Sequence, residues 1–123
     1  MHCNYAFYFG AEKDNIKEIK KVEKVKGCCG VKVFVGSSTG TLLVSNHEDI
    51  KKIMKSTKKM ISFHSEDEDE LIKRESFRKK NKPQTHYIWR DVNTALKSTR
   101  KLIANANKTK KKIHILHLSL IHI

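Results

Sequence analysis

Four short apolar runs, each separated from the next by a stretch with helical periodicity, restrict this chain to few folds. The runs cover residues 5–9, 31–35, 59–63 and 112–118. None alternates strictly between apolar and polar residues, which is typical of strands buried on both faces of a parallel sheet. Successive parallel strands are joined by right-handed crossovers. The pattern therefore predicts an α/β fold of about four parallel strand–helix units.

Helix boundaries can be predicted from capping residues and breakers. Asp14-Asn15 and Asn46 are candidate N-caps, Gly27 is a candidate stop, and the only proline, Pro83, is expected to break the third helix. Apolar residues three or four positions apart predict helices over 16–25, 47–56, 71–79 and 91–107.

Length and charge limit the classes of function. The 123 residues suffice for one domain, but a complete eight-stranded α/β barrel takes roughly 250. The 26 Lys plus Arg against 13 Asp plus Glu give a net charge of +13, which attracts polyanions without specificity. Solvated helix faces explain most of these lysines, and no arginine-rich or interleaved aromatic pattern accompanies them. Nucleic-acid binding is not expected beyond a non-specific level, although a small basic protein that holds acidic partners remains the alternative.

The cysteines and the hydropathy profile predict a cytoplasmic protein without a membrane partner. Cys3 and the adjacent pair Cys28-Cys29 are odd in number and lack metal-knuckle spacing, as expected of reduced thiols. No run approaches the roughly 18 apolar residues of a membrane span, and the N-terminus lacks the order of a signal peptide.

Three side chains that can bind metal lie in or at the ends of predicted strands. Lys32 is inside the second run, which leads directly into the glycine-rich turn 36–40. His64 follows the third run, and His117 lies near the end of the fourth. Functional groups of parallel α/β folds collect at the carboxyl ends of strands, so the three should meet on one rim. Considered singly, each histidine is better explained as an ordinary core or loop residue than as a metal ligand.

Lys32 has two interpretations. A lysine amine buried among apolar residues loses its proton, and a neutral amine can add carbon dioxide to give a carbamate that bridges two divalent metals. Alternatively, its stem follows the sheet and the amine reaches water.

Four separated segments resemble the dihydroorotase family of cyclic amidohydrolases, which is related to allantoinases and to hydantoinases or dihydropyrimidinases. They occur in the family's order. They are residues 4–11 (NYAFYFGA), 30–40 (GVKVFVGSSTG) with 42–44 (LLV), 64–68 (HSEDE) and 114–119 (HILHLS).

The resemblance implies strands 3 to 6 of a (β/α)8 TIM barrel and a zinc site. It makes Lys32 the bridging carbamate and His64 and His117 ligands of the second of two zinc ions. The family reaction is the reversible hydrolysis of the cyclic amide of dihydroorotate to N-carbamoyl-aspartate, in pyrimidine biosynthesis.

Several family residues have no counterpart in this sequence. Both the His-x-His pair of the first barrel strand and the late aspartate that acts as general base are missing. We therefore assign no catalytic residue, expect at most one zinc ion, and expect residues 1–123 to form a single incomplete barrel that is inactive alone.

The end of the sequence also departs from the family pattern, because residues 120–123 (LIHI) replace the expected threonine and acidic helix start. A truncated or frameshifted gene would produce this, so a decayed gene product is one expectation. One half of a split amidohydrolase is another, and the exposed edges of four barrel strands predict either pairing with a complementary fragment or self-association.

Overall fold

The computed structural model describes residues 3–38 and 40–118, and within them a parallel four-stranded sheet forms the centre. Thr39 and residues 119–123, on which part of the sequence resemblance rests, lie outside this description. The strand order follows the chain, β1-β2-β3-β4, and every neighbouring pair is parallel. The strands are β1 (Phe7–Gly10), β2 (Cys28–Phe34), β3 (Ile61–His64) and β4 (Ile113–Ile115). The predicted parallel α/β sheet is confirmed.

Helices follow each of the first three strands. They are α1 (Ile16–Lys21), α2 (His47–Ser56), α3 (Glu68–Lys73), α4 (His86–Trp89) and α5 (Val92–Thr109), with short 3-10 segments at Val22–Lys24, Glu75–Phe77 and Pro83–Thr85. None of the helices in the described residues is long and apolar enough to cross a membrane.

The core lies between the helices and one face of the sheet. Side chains of successive strand residues point to opposite faces, so Val31, Val33, Ile61 and Phe63 share the face that packs against the helices. The helices contribute buried side chains to the same core, among them Ile19, Ile50, Ile53, Met54 and Leu102.

The opposite face of the sheet carries the residues of the candidate site. Lys32 pairs with Ser62, and Phe34 pairs with His64, so these four side chains lie on one face. Tyr8 extends this face to the β1 edge and is 47% exposed. The prediction that all four strands are buried on both faces is therefore wrong for this part of the sheet.

Capping explains why α2 matches its predicted range. The Asn46 side chain accepts hydrogen bonds from the backbone N–H groups of Glu48 (2.8 Å) and Asp49 (3.4 Å). Asn15 occupies the corresponding position before α1 but does not cap it. Its side chain accepts from Glu12 N and donates to Gly10 O, so it fastens the preceding turn instead.

The helix predicted over 71–79 lies earlier in the chain. Asp67 caps α3 by accepting from Glu70 N, and three acidic residues in the first turn favour this start through the helix dipole. The helix ends at Lys73, well before Pro83. That proline lies in the first turn of a 3-10 segment and does not break α3.

Candidate metal centre

His64 and His117 meet at the carboxyl ends of neighbouring strands. His64 is the last residue of β3, and the Leu116 N–H donates to Phe63 O (3.0 Å), which holds the chain after β4 beside it. The Nδ1 atom of His64 and the Nε2 atom of His117 are 3.2 Å apart. His117 has a positive φ of 36°, an uncommon conformation for a residue other than glycine. The structure thus brings together two of the three residues proposed from the sequence.

Glu66 and Arg90 form an ion pair behind His64. The Glu66 Oε2 atom is 2.6 Å from His64 Nε2. Arg90 donates to the same carboxylate through Nε (3.0 Å to Oε1) and Nη2 (2.5 Å to Oε2). Two of the three guanidinium nitrogens of Arg90 thus donate to Glu66, one to each carboxylate oxygen.

The charge of Glu66 determines which ring nitrogen of His64 carries the hydrogen. Burial favours the neutral carboxyl, but the hydrogen bonds from His64 and Arg90 and the charge of Arg90 outweigh it and lower the pKa of Glu66. An ionised carboxylate only accepts hydrogen bonds. His64 therefore donates through Nε2–H, and the neutral ring with this hydrogen has its Nδ1 lone pair facing His117.

The loop that carries Glu66 is fastened to α5 on both sides of this residue. Ser65 is buried and hydrogen-bonded to Ser98 and Thr99 (3.0 Å each). Asp67 accepts from Lys101 (2.7 Å), and Lys97 lies 3.3 Å from its other oxygen. These contacts hold Glu66 in place between its two anchored neighbours.

Lys32 is buried at its tip and has no partner. Its Nζ atom lies 4.5 Å from the centroid of the Phe34 ring and forms no hydrogen bond within the described chain. Burial lowers the pKa of this amine, since desolvation disfavours its charged form. The alternative in which the amine reaches water does not describe this geometry.

The three side chains do not form a complete site. The Phe34 ring lies against the Lys32 amine, and its centroid is 6.0 Å from that of His64. Within residues 3–38 and 40–118, no three His, Cys, Asp or Glu side chains are grouped so that they could hold a metal ion. A cavity of about 220 Å³ adjoins the histidine pair and is lined also by Glu66 and Arg90.

The histidine pair nevertheless fits a zinc ion. Two nitrogens bound to one tetrahedral zinc at about 2.0–2.1 Å lie about 3.3–3.4 Å apart, close to the 3.2 Å observed. On the same face, the Lys32 amine has a lowered pKa and no hydrogen-bond partner among the described residues, and such an amine is chemically suited to become a third, anionic ligand by adding carbon dioxide. The donor set therefore fits the metal that the sequence resemblance implies.

Sequence reasoning did not identify Glu66 and Arg90 as a pair. Glu66 follows His64 by two residues in the turn after β3, which was a usable signal. Arg90 is 24 residues from Glu66 and is positioned by Trp89, whose indole N–H donates to Leu71 O (3.0 Å). That contact depends on how α4 packs against α3.

Comparison with solved structures shows what fold this arrangement belongs to. The chain is similar to L-hydantoinase (dihydropyrimidinase) from Arthrobacter aurescens, with a TM-score of 0.82 and 16% identity over 94% of this chain and 27% of that chain. It is also similar to dihydropyrimidinase from Brevibacillus agri NCHU1002 (TM-score 0.73, 17% identity, 94% and 27% covered). A D-hydantoinase gives a TM-score of 0.72 with 22% identity over 84% of this chain and 23% of that chain.

These likenesses show the fold. The chain spans about a quarter of the length of the solved structures it matches, so the prediction of a partial TIM barrel is confirmed. No protein-family model and no curated protein matches the sequence. The structural neighbours are hydantoinases and dihydropyrimidinases, and they do not single out dihydroorotases.

Proposed function

We propose that this chain corresponds to part of a zinc-dependent cyclic amidohydrolase of the dihydroorotase type, with Lys32, His64 and His117 as its metal ligands. The observation that carries the proposal is the histidine pair, 3.2 Å apart, on the same sheet face as an unpartnered buried amine. The fold shared with hydantoinases supports it.

The histidines would bind zinc through His64 Nδ1 and His117 Nε2. With the hydrogen of neutral His64 on Nε2, the 3.2 Å contact makes His117 Nε2–H the donor to His64 Nδ1. Metal binding therefore requires the His117 hydrogen to move to Nδ1. A bound zinc ion would polarise a carbonyl group and lower the pKa of a water molecule toward neutrality.

Lys32 would become a ligand through its carbamate. The neutral amine nitrogen forms a bond to the carbon of carbon dioxide, one C=O π pair moves to oxygen, and the nitrogen releases a proton to water. The product carries one negative charge on two oxygens. Burial favours this reaction because it lowers the pKa of the amine and so raises the fraction that is unprotonated.

The sequence supplies no group for the proton transfers of hydrolysis. The resemblance places the general base on an aspartate that has no counterpart here, and Glu66 is paired with both His64 and Arg90. We expect no useful turnover of dihydroorotate by this chain alone. The remaining ligands and the general base of the family would be required for activity.

Metal content tests the proposed site. We expect purified chain supplied with zinc and bicarbonate to retain about one zinc ion by elemental analysis, and His64→Ala and His117→Ala to retain almost none. His86→Ala is the matched control, since His86 lies on α4 and contacts Trp89. Zinc retention that is equal in all four proteins would contradict the site.

Two further measurements test carbamate formation on Lys32 and catalytic activity independently of each other. Isotopically labelled bicarbonate should give a carbamate NMR signal that is absent from Lys32→Ala. Hydrolysis of dihydroorotate well above that of Lys32→Ala would show that the chain is active alone and would refute the expected inactivity.

A further inference from the structure

We propose that Glu66 is a positioning residue that fixes the ring orientation and tautomer of His64, and that Arg90 holds Glu66 in this role. The inference deepens the proposed function, because it rests on His64 being a metal ligand. It concerns two side chains to which the sequence resemblance gives no role at the metal.

The contacts form a chain of direct hydrogen bonds. Arg90 holds both oxygens of Glu66, Glu66 Oε2 accepts from His64 Nε2–H at 2.6 Å, and the opposite ring nitrogen of His64 faces His117 at 3.2 Å. The side chains of His64, Glu66 and Arg90 are only 15%, 14% and 22% exposed. Water therefore competes little for these bonds.

The bidentate ion pair restricts where the Glu66 carboxylate can point. A planar guanidinium that donates to both oxygens fixes the orientation of the carboxylate as well as its position. One oxygen is then directed at His64 Nε2, and the ring cannot flip without losing that bond. The result is that Nδ1 of His64, and not Nε2, faces His117 and would be the nitrogen available to a metal.

Arg90 is itself held by its surroundings. Its guanidinium carbon lies 5.3 Å from the centroid of the Trp89 ring, and the Trp89 indole is anchored to Leu71 O. The Arg90 backbone N–H donates to His86 O (2.9 Å), which closes the end of α4. This short helix therefore serves to place one arginine against the loop after β3.

A direct role for the Nε and Nη2 groups of Arg90 in binding an anionic substrate does not fit this geometry. Its Nε and Nη2 donors are both directed at Glu66, and releasing them would leave a half-buried carboxylate without its main partner. Leaving such a group unpaired is costly. We therefore assign Arg90 to the support of His64.

The first test uses the metal-free full chain and measures the tautomer of His64 by NMR on protein with isotopically labelled histidine. We expect the hydrogen on Nε2 in the wild type and a mixture of tautomers in Glu66→Gln, because the neutral amide can either accept or donate. A hydrogen on Nδ1 in the wild type would overturn the proposal. This readout does not depend on whether the chain binds zinc.

The second test measures zinc affinity by competition with a chromophoric chelator. We expect Glu66→Gln to bind zinc about 10- to 100-fold more weakly than the wild type, as is typical when a partner of a metal-bound histidine is lost. Arg90→Lys keeps the charge but not the bidentate geometry, so we expect a smaller loss. Glu66→Gln that matches the wild type in both tautomer and zinc affinity would overturn the inference.

Glu70→Gln is the matched control because it removes the same charge from a neighbouring position. Glu70 pairs with Lys73 and Lys97, away from His64, and the variant should retain wild-type zinc affinity and His64 tautomer. Wild-type protein that binds no zinc but carries the hydrogen on His64 Nε2 would refute the proposed function and leave the positioning role of Glu66 supported.

Discussion

At the scale of single residues, the burial of the Lys32 amine is the feature that protein stability explains least. A buried polar group without a partner destabilises a folded protein, and the Lys32 amine has none among the described residues. Lys111 shows how a buried lysine amine is usually stabilised, by donating hydrogen bonds. Burial also lowers its pKa, yet its amine donates to the backbone oxygens of Thr57 (2.5 Å) and Lys59 (2.8 Å). Lys111, which lies just before β4, thus has the hydrogen-bond acceptors that Lys32 lacks.

Replacing Lys32 by methionine should therefore stabilise the protein in buffer free of carbon dioxide. We expect Lys32→Met to raise the free energy of unfolding by about 1 kcal/mol, the lower end of the cost of an unsatisfied buried polar group. Lys111→Met should lower it, since two carbonyl groups lose their donor. Urea denaturation of both variants measures the difference, and a destabilised Lys32→Met would contradict this account.

The pH dependence of the same variants has a defined sign. The pKa of Lys32 is lowered in the folded state, so the unfolded chain binds more protons and stability rises with pH from the folded pKa up to the ordinary value near 10.5. Lys32→Met should show a smaller rise, because the lowered pKa of Lys111 contributes in the same direction.

At the scale of elements, the turn after β2 and the loop after β3 approach each other backbone to backbone. A Cβ added at Gly36 would lie 2.6 Å from the Glu66 carbonyl oxygen. Real side chains do not come so close, so a glycine is required there. The two loops that follow β2 and β3 are thereby held in register next to Glu66.

Gly36→Ala should therefore destabilise the protein by about 1–3 kcal/mol, the usual cost of overpacking. It should also weaken zinc binding, because Glu66 must move away. Gly10→Ala is the matched control, since its Cβ would meet only the flexible Leu42 side chain at 3.1 Å. Equal urea midpoints for the two variants would show that the close approach is not constraining.

Capping residues and apolar periodicity predicted local structure well, but they did not predict contacts between elements that are distant in sequence. The range of α2 follows from the Asn46 cap and the buried stripe that includes Ile50, and both are visible in the sequence. The end of α3 at Lys73 is not visible in this way, because the Arg74 side chain that follows it donates to the carbonyl oxygens of Ile88 and Trp89, which are distant in sequence. The same distinction between local and distant contacts applies to the candidate site. Strand ends predicted the histidine pair, but the partner of Glu66 depended on tertiary packing.

At the scale of the whole molecule, the sheet has two edge strands and a face that the helices do not cover. In a closed barrel this face points inward and the edges pair with further strands. Here β1 is one edge of the sheet in the described part of the chain, and Phe7 on it is 65% exposed. Such an edge favours association with another strand. The net charge of +13 opposes association of identical copies.

These opposing effects predict self-association that increases with salt. At low ionic strength the positively charged copies repel each other, and at about 0.5 M salt the Debye length falls to a few ångströms, so the apolar edge can pair. Sedimentation velocity should show oligomers that grow with both salt and protein concentration. Phe7→Lys should suppress them by adding charge to the edge strand, whereas Ile103→Lys, at a 48% exposed position on α5, should not. A wild-type monomer at high salt and high concentration would show that the open sheet is stable without a partner.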